Sequence, residues 1–88
     1  MHRDLKLDNV LVCENGSQVL IKLADFGFAA CVRNSPMSTA YKGTKRGFMA
    51  PEIHKLLHPP KAQYDTYKAD IFALGGIFFT LVMGRLPF

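Results

Sequence analysis

The stretch MHRDLKLDNVLVCENGSQVLIKLADFG, residues 1–27, organises the reading of the whole chain. Two short runs rich in β-branched and aliphatic residues, 9–13 and 19–23, flank the segment ENGSQ. The Asn15-Gly16 pair inside it is a strong hairpin signal, because a tight reverse turn needs backbone torsions that Asn and Gly tolerate. Antiparallel pairing around that dipeptide places Asn9 near Lys22, and Asp25 then follows within a few residues of Asn9 in space. Just ahead of the first strand lie His2, Arg3, Asp4, Lys6, Asp8 and Asn9. A solvated loop accounts for such a run as readily as a reactive site does, so the rest of the chain has to decide.

Beyond the hairpin, residues 26–50 lose periodicity and are rich in Gly, Ser, Thr and Lys, which reads as a long loop. Loops longer than about 12–15 residues usually carry function or are disordered. Pro51 suits the first turn of a short helix over Glu52–Leu57, with Glu52 favoured by the helix dipole, and His58-Pro59-Pro60 ends it. Asp65 or Thr66 can cap a second helix from Tyr67 to about Met83. Its body is apolar nearly all round, which predicts burial on most sides. Gly75 and Gly76 are unfavourable inside a helix and fit best where another backbone packs closely. Gly84 stops the helix, and Pro87 prevents its resumption.

The chain has 88 residues, 49% hydrophobic and 20% charged, with a formal charge of +4. That composition is globular, at most one small domain, burying about 60–65% of its unfolded surface. Lys42, Lys45, Arg46, Lys61 and Lys68 make the middle basic, either as an ordinary solvated face or for an acidic or phosphorylated partner. No dense Lys/Arg run points to nucleic acid. Cys13 and Cys31 stand apart, with no CxxC pair or histidine cluster, as two reduced thiols. The first nine residues are polar and carry no secretory signal, so an intracellular, cytoplasmic location is expected. Residues 71–84 are uncharged, but those fourteen positions fall short of the roughly 20 of a membrane span. A core helix, with no membrane partner, is the expectation.

Four short motifs bear on chemistry. HRDLKLDN fits the spacing H-R-D-x-x-x-x-N, Asp25-Phe26-Gly27 follows the hairpin, Ala50-Pro51-Glu52 closes the long loop, and Asp70-Ile71-Phe72-Ala73-Leu74-Gly75 opens the apolar helix. In this order they resemble the larger lobe of a eukaryotic-type protein kinase over essentially the whole chain. The resemblance implies an α+β, protein kinase-like fold: a fragment of the C-terminal (large) lobe with β-hairpin, activation segment, short helix and buried central helix. It divides residues 1–88 into a catalytic loop over 2–9, a metal-binding triplet at 25–27, an activation segment over 25–52 and a central helix over about 67–83.

Phosphoryl transfer needs a cation to neutralise triphosphate charge, and hard Mg²⁺ takes oxygen ligands. By the resemblance, Asn9 and Asp25 are the protein's ligands for Mg²⁺ or Mn²⁺, with ATP as co-substrate. Asp4 matches the catalytic aspartate that orients the substrate hydroxyl and accepts its proton. Lys6 resembles the lysine that touches the transferred phosphate in serine/threonine kinases, which favours Ser or Thr of a protein substrate as acceptor. His2 is expected to be structural, and Arg3 to pair with a phosphate that an activating kinase adds to the activation segment. Ser35, Ser38, Thr39, Tyr41 and Thr44 are candidate acceptors there. The usual regulatory position falls on Ala40, which leaves Thr39 or Tyr41, while Thr44 resembles a threonine that bonds the catalytic Asp and Lys. Glu52 is expected to pair with an arginine beyond Phe88, and Asp70 to hold the HRD backbone.

Three local departures stand out. GTKRGFMAPE carries one residue more than usual, Phe48 replaces a common Tyr, and Phe72 replaces a common Trp. No G-x-G-x-x-G and no VAIK-type lysine occur, so the N-lobe and the later C-lobe helices are expected to be absent and the isolated chain inactive. Two functions remain in play: a protein serine/threonine kinase fragment, or a pseudokinase-like piece that binds without catalysis.

Overall fold

The computed structural model describes residues 1–31, 37–38, 47–56 and 63–88. A single 3-10 turn, Leu7–Asn9, leads into strand β1, Val10–Asn15, which pairs antiparallel with β2, Gln18–Leu23. A two-residue strand β3, Met37–Ser38, pairs antiparallel with β4, Tyr64–Asp65. Helix α1 spans Pro51–Leu56 and helix α2 spans Thr66–Met83.

The hairpin forms where the sequence puts it, with the turn one residue later than expected. Asn15 stays in the strand opposite Gln18, and Gly16, at φ 61°, takes the left-handed torsion at the first position of the loop. Moving the turn centre by one residue moves every partner by two, so Leu11 faces Lys22 and the Ala24 N–H bonds to the Asn9 carbonyl at 2.9 Å. Asn9 therefore lies opposite Ala24 rather than near Lys22. A slip of two keeps each side chain on its own face and brings Asp25 closer to Asn9 along the backbone. The pair β3–β4 was not legible, because a two-residue strand leaves no alternation to read.

Helix α2 runs from the Asp65 cap to Gly84. The Asp65 carboxylate accepts from the backbone N–H groups of Tyr67 at 3.0 Å and Lys68 at 3.2 Å. Gly84, at φ 68°, donates its N–H to the Thr80 carbonyl. Its buried residues, Thr66, Ala69, Ala73, Gly76 and Ile77, recur at helical spacing along one stripe. Ala69 joins Ala50, Ile53 and Tyr64 in one apolar cluster, and Ala73 and Ile77 join Leu5 and Phe48 in another. The expected burial on most sides is thus corrected: Ile71, Leu74, Phe78, Leu81, Val82 and Met83 are all exposed. The described residues supply only one packing layer, and it covers one stripe. At 18 residues α2 is also long and apolar enough to cross a membrane by length and composition alone.

Of the two helix glycines, Gly76 meets the expectation of close approach. A Cβ there would lie 3.0 Å from Phe48 Cδ1 and 3.1 Å from the Gly47 carbonyl oxygen, whereas one on Gly75 would meet nothing within 4 Å. Within GTKRGFMAPE, Gly47 takes φ 96° and Phe48 lies in the core, while 43–46 lie outside the described residues.

Candidate functional site

Residues 2–9 are held from three directions. From α2, Asp70 accepts the His2 N–H at 2.7 Å through one carboxylate oxygen and the Arg3 N–H at 2.9 Å through the other. From the segment after β2, the His2 ring meets the Ala24 carbonyl at 3.0 Å through Nε2 and packs edge-on to Phe26 at 4.9 Å. His2 Nδ1 accepts the Asp4 N–H at 3.2 Å, which makes Nε2 the protonated nitrogen that donates to Ala24. Arg3 Nε donates to the Phe28 carbonyl, and the Ala30 N–H bonds to the Met1 carbonyl at 3.2 Å. The third hold is local, from Asn9.

Those restraints surround a buried carboxylate. Asp4 is 1% exposed and Asn9 6%. Asn9 Nδ2 donates to the Asp4 backbone carbonyl at 2.8 Å and to Asp4 Oδ2 at 3.3 Å. Both acceptors are oxygens, so the amide nitrogen must face them, and the carboxamide oxygen is the atom left for another partner. Lys6 Nζ lies 3.2 Å from the same Asp4 Oδ2. Asp4 Oδ1 is buried and has no hydrogen-bond partner among the described residues. An unengaged buried carboxylate oxygen is costly in a low-dielectric setting, which is a reason to look for a ligand or substrate group there.

Two non-glycine residues near Asp4 occupy the left-handed region: Arg3 at φ 68° and Asp25 at φ 59°. Such torsions persist where neighbours over-determine them, and they concentrate at functional sites. For Arg3 the restraint is Asp70. For Asp25 it is the rung between Ala24 and Asn9 on one side, and on the other the Gly27 N–H, which donates to Asp25 Oδ1 at 3.2 Å. Asp25 itself is exposed.

The donor set suits a hard cation. Asn9 offers a carboxamide oxygen and Asp25 a carboxylate, and Asp25 directly follows Ala24, whose N–H bonds to the Asn9 carbonyl at 2.9 Å. No group of three or more His, Cys, Asp or Glu side chains gathers among the described residues. A cation here would thus have few protein ligands, as Mg²⁺ does when phosphates and waters complete its shell.

Several sequence expectations meet this geometry unevenly. Asp4, Lys6 and Asn9 come together directly, whereas Asp25 follows the Ala24 that bonds to the Asn9 carbonyl, and its carboxylate accepts from the Gly27 N–H. Asp70 sits where the motif put it, on the HRD backbone. Glu52 is half-buried in the first turn of α1. Ser38 falls within β3, and Ser35, Thr39, Tyr41 and Thr44 lie outside the described residues. One feature was missed: Asn9 supports Asp4 besides offering an oxygen, and nothing in the sequence marked it. The structural part expected of His2 is its bridge from the Asp4 N–H to the Ala24 carbonyl.

Comparison with known proteins matches the family described as protein kinase domain over residues 1–88. Among curated relatives, the serine/threonine-protein kinase unc-51 of Caenorhabditis elegans is 38% identical over 95 aligned positions, covering 100% of this chain and 10% of the relative. Serine/threonine-protein kinase ATG1c of Arabidopsis thaliana is 41% identical, covering 100% of this chain and 11% of its own length. The ovarian-specific serine/threonine-protein kinase Lok of Drosophila melanogaster is 40% identical, covering 99% and 17%. The chain spans 10–17% of the length of these three relatives.

Proposed function

This chain belongs to the protein kinase domain family, and from that premise we propose that it supplies part of the large lobe of a protein serine/threonine kinase. The proposed reaction moves the γ-phosphate of ATP to a Ser or Thr hydroxyl of a protein substrate. The observation that carries this reading is the buried Asp4 carboxylate, with Oδ2 engaged by Lys6 and Asn9 and Oδ1 unengaged among the described residues.

The setting of each residue supports a role in that reaction. Asp4 Oδ1 takes the proton of the substrate hydroxyl, so that its oxygen can bond to phosphorus as the ADP leaves. Such general-base help contributes typically about 10²–10⁴-fold. Lys6 fixes the other Asp4 oxygen and brings a positive charge to the place where phosphoryl oxygens arrive. Asn9 holds Asp4 through Nδ2 and, with Asp25, would hold Mg²⁺ or Mn²⁺ through oxygen. When bound, that cation supplies neutralisation of the triphosphate charge. His2 and Asp70 keep the loop in register.

The test is phosphate incorporation into protein substrate by the full-length protein. Asp4→Asn should lower kcat by about 10²–10⁴-fold, and Asp25→Ala should abolish metal-dependent transfer. Wild-type rates in both variants would overturn the mechanism.

A further inference from the structure

His2 sits where the loop carrying Asp4 meets the segment after β2, and it is buried. Both of its ring nitrogens are engaged, each by a backbone group. Nδ1 accepts the Asp4 N–H at 3.2 Å, and Nε2 meets the Ala24 carbonyl at 3.0 Å. One partner is a donor and the other an acceptor, so a single state of the ring satisfies both: neutral, with its proton on Nε2. The edge-on contact with Phe26 restricts rotation of the ring out of that arrangement.

The charged groups around the ring make their described bonds to other atoms. From α2, the two Asp70 oxygens accept the backbone N–H groups of His2 and Arg3. Within the loop, Asp4 Oδ2 takes Lys6 and Asn9, and Arg3 Nε donates to the Phe28 carbonyl. Beyond β2, Asp25 Oδ1 accepts the Gly27 N–H, and the Met1 amino group donates to the Ala30 carbonyl. A second proton on the ring has one position open to it, Nδ1, and there it faces the Asp4 N–H, donor against donor. A buried N–H that loses its acceptor is costly, so the backbone at Asp4 has to move.

We propose that His2 is a positioning residue governed by its own protonation. Neutral, its Nδ1 lone pair pins the Asp4 backbone; doubly protonated, it releases that backbone and the carboxylate with it. Acid then misplaces Asp4 without having to protonate it. This deepens the kinase reading, in which Asp4 is the base.

The test needs no phosphate transfer: ¹⁵N NMR of the histidine rings in the full-length protein, with hydrogen exchange followed over about pH 5–8, the range in which imidazoles change charge. At the upper end His2 should show a proton on Nε2 and none on Nδ1. As Nδ1 takes up a proton, protection of the Asp4 N–H, corrected for intrinsic exchange, should fall about fivefold, the worth of one hydrogen bond. Protection of the β1–β2 ladder should stay constant. His2→Asn keeps an acceptor near the place of Nδ1, since an Asn side chain bonds the N–H two residues on, but it carries nothing that titrates. In that variant protection of the Asp4 N–H should be flat, and the fall of kcat toward acid should begin at lower pH than in the wild type. A proton on Nδ1 of the neutral ring, a ring that keeps one charge throughout, or constant protection while the ring titrates overturns the proposal. An equal loss in His2→Asn does the same, because it assigns the effect to Asp4, Asp70 or Asp25. The wild-type titration decides by itself if the variant does not fold. Wild-type rates in Asp4→Asn would count against the kinase mechanism and leave the link between His2 and the Asp4 N–H standing.

Discussion

Gly75 and Gly76 are neighbours in the chain with opposite surroundings, since successive helical residues point about 100° apart. A methyl group on Gly76 would press on the Phe48 ring and the Gly47 carbonyl, and the carbonyl belongs to backbone that cannot swing aside. Gly76→Ala should therefore lower stability by about 1–3 kcal/mol in a urea titration, as overpacking does. Gly75→Ala meets no atom within 4 Å and should raise stability by up to about 1 kcal/mol through helix propensity. Equal effects of the two substitutions would contradict the packing of α2 on the Gly47–Phe48 turn. The sequence marked both glycines as sites of close approach. Only the direction of each Cα–Cβ bond separates them, and that depends on which helix face meets the turn.

Among the elements, the hairpin and α2 were the most legible, because each carries its own punctuation. Asn15-Gly16 announced the turn, Asp65 or Thr66 the helix start, of which Asp65 is the cap, and Gly84 its end. The turn still closed one residue later, since Asn15 can extend the ladder to Gln18 and leave the left-handed torsion to Gly16 alone. At the other end of α2, Gly84 holds φ 68° while its N–H satisfies the Thr80 carbonyl. An alanine there carries a Cβ into the left-handed region, which costs about 1–2 kcal/mol. Gly84→Ala should lower the thermal midpoint accordingly without changing helix content. An unchanged midpoint would mean that the helix end does not need this torsion. The elements that the sequence did not show are β3 and β4, whose four residues have no periodicity and exist only as partners of each other.

At the scale of the whole molecule, the chain is a slab of 51 × 31 × 17 Å with two small apolar clusters on one side of α2. Leu11, Val12, Val19, Leu20, Ile21 and Leu23 of the hairpin are exposed, as are Ile71 and Phe78 of α2 at 66% and 69%. Apolar surface of that extent drives association. The isolated 88-residue chain should self-associate on gel filtration and bind a hydrophobic dye, and Ile71→Lys with Phe78→Lys should reduce both. A monomeric chain that excludes the dye would contradict the exposed face. Burial of α2 on most sides was inferred from composition, which states how apolar a helix is and not how many layers pack against it.

The linear order of residues was enough to determine the hairpin, the capped helix and the motif set that identifies the protein kinase family, because turn torsions, cap chemistry and motif spacing are all local. Tertiary structure alone decided the rest. It set the two-residue difference in register that puts Asn9 opposite Ala24, the bond from Asn9 to Asp4, and the single stripe by which α2 is covered. Each of these joins positions whose relation depends on how elements meet in space, where side-chain direction and the number of packing layers are settled.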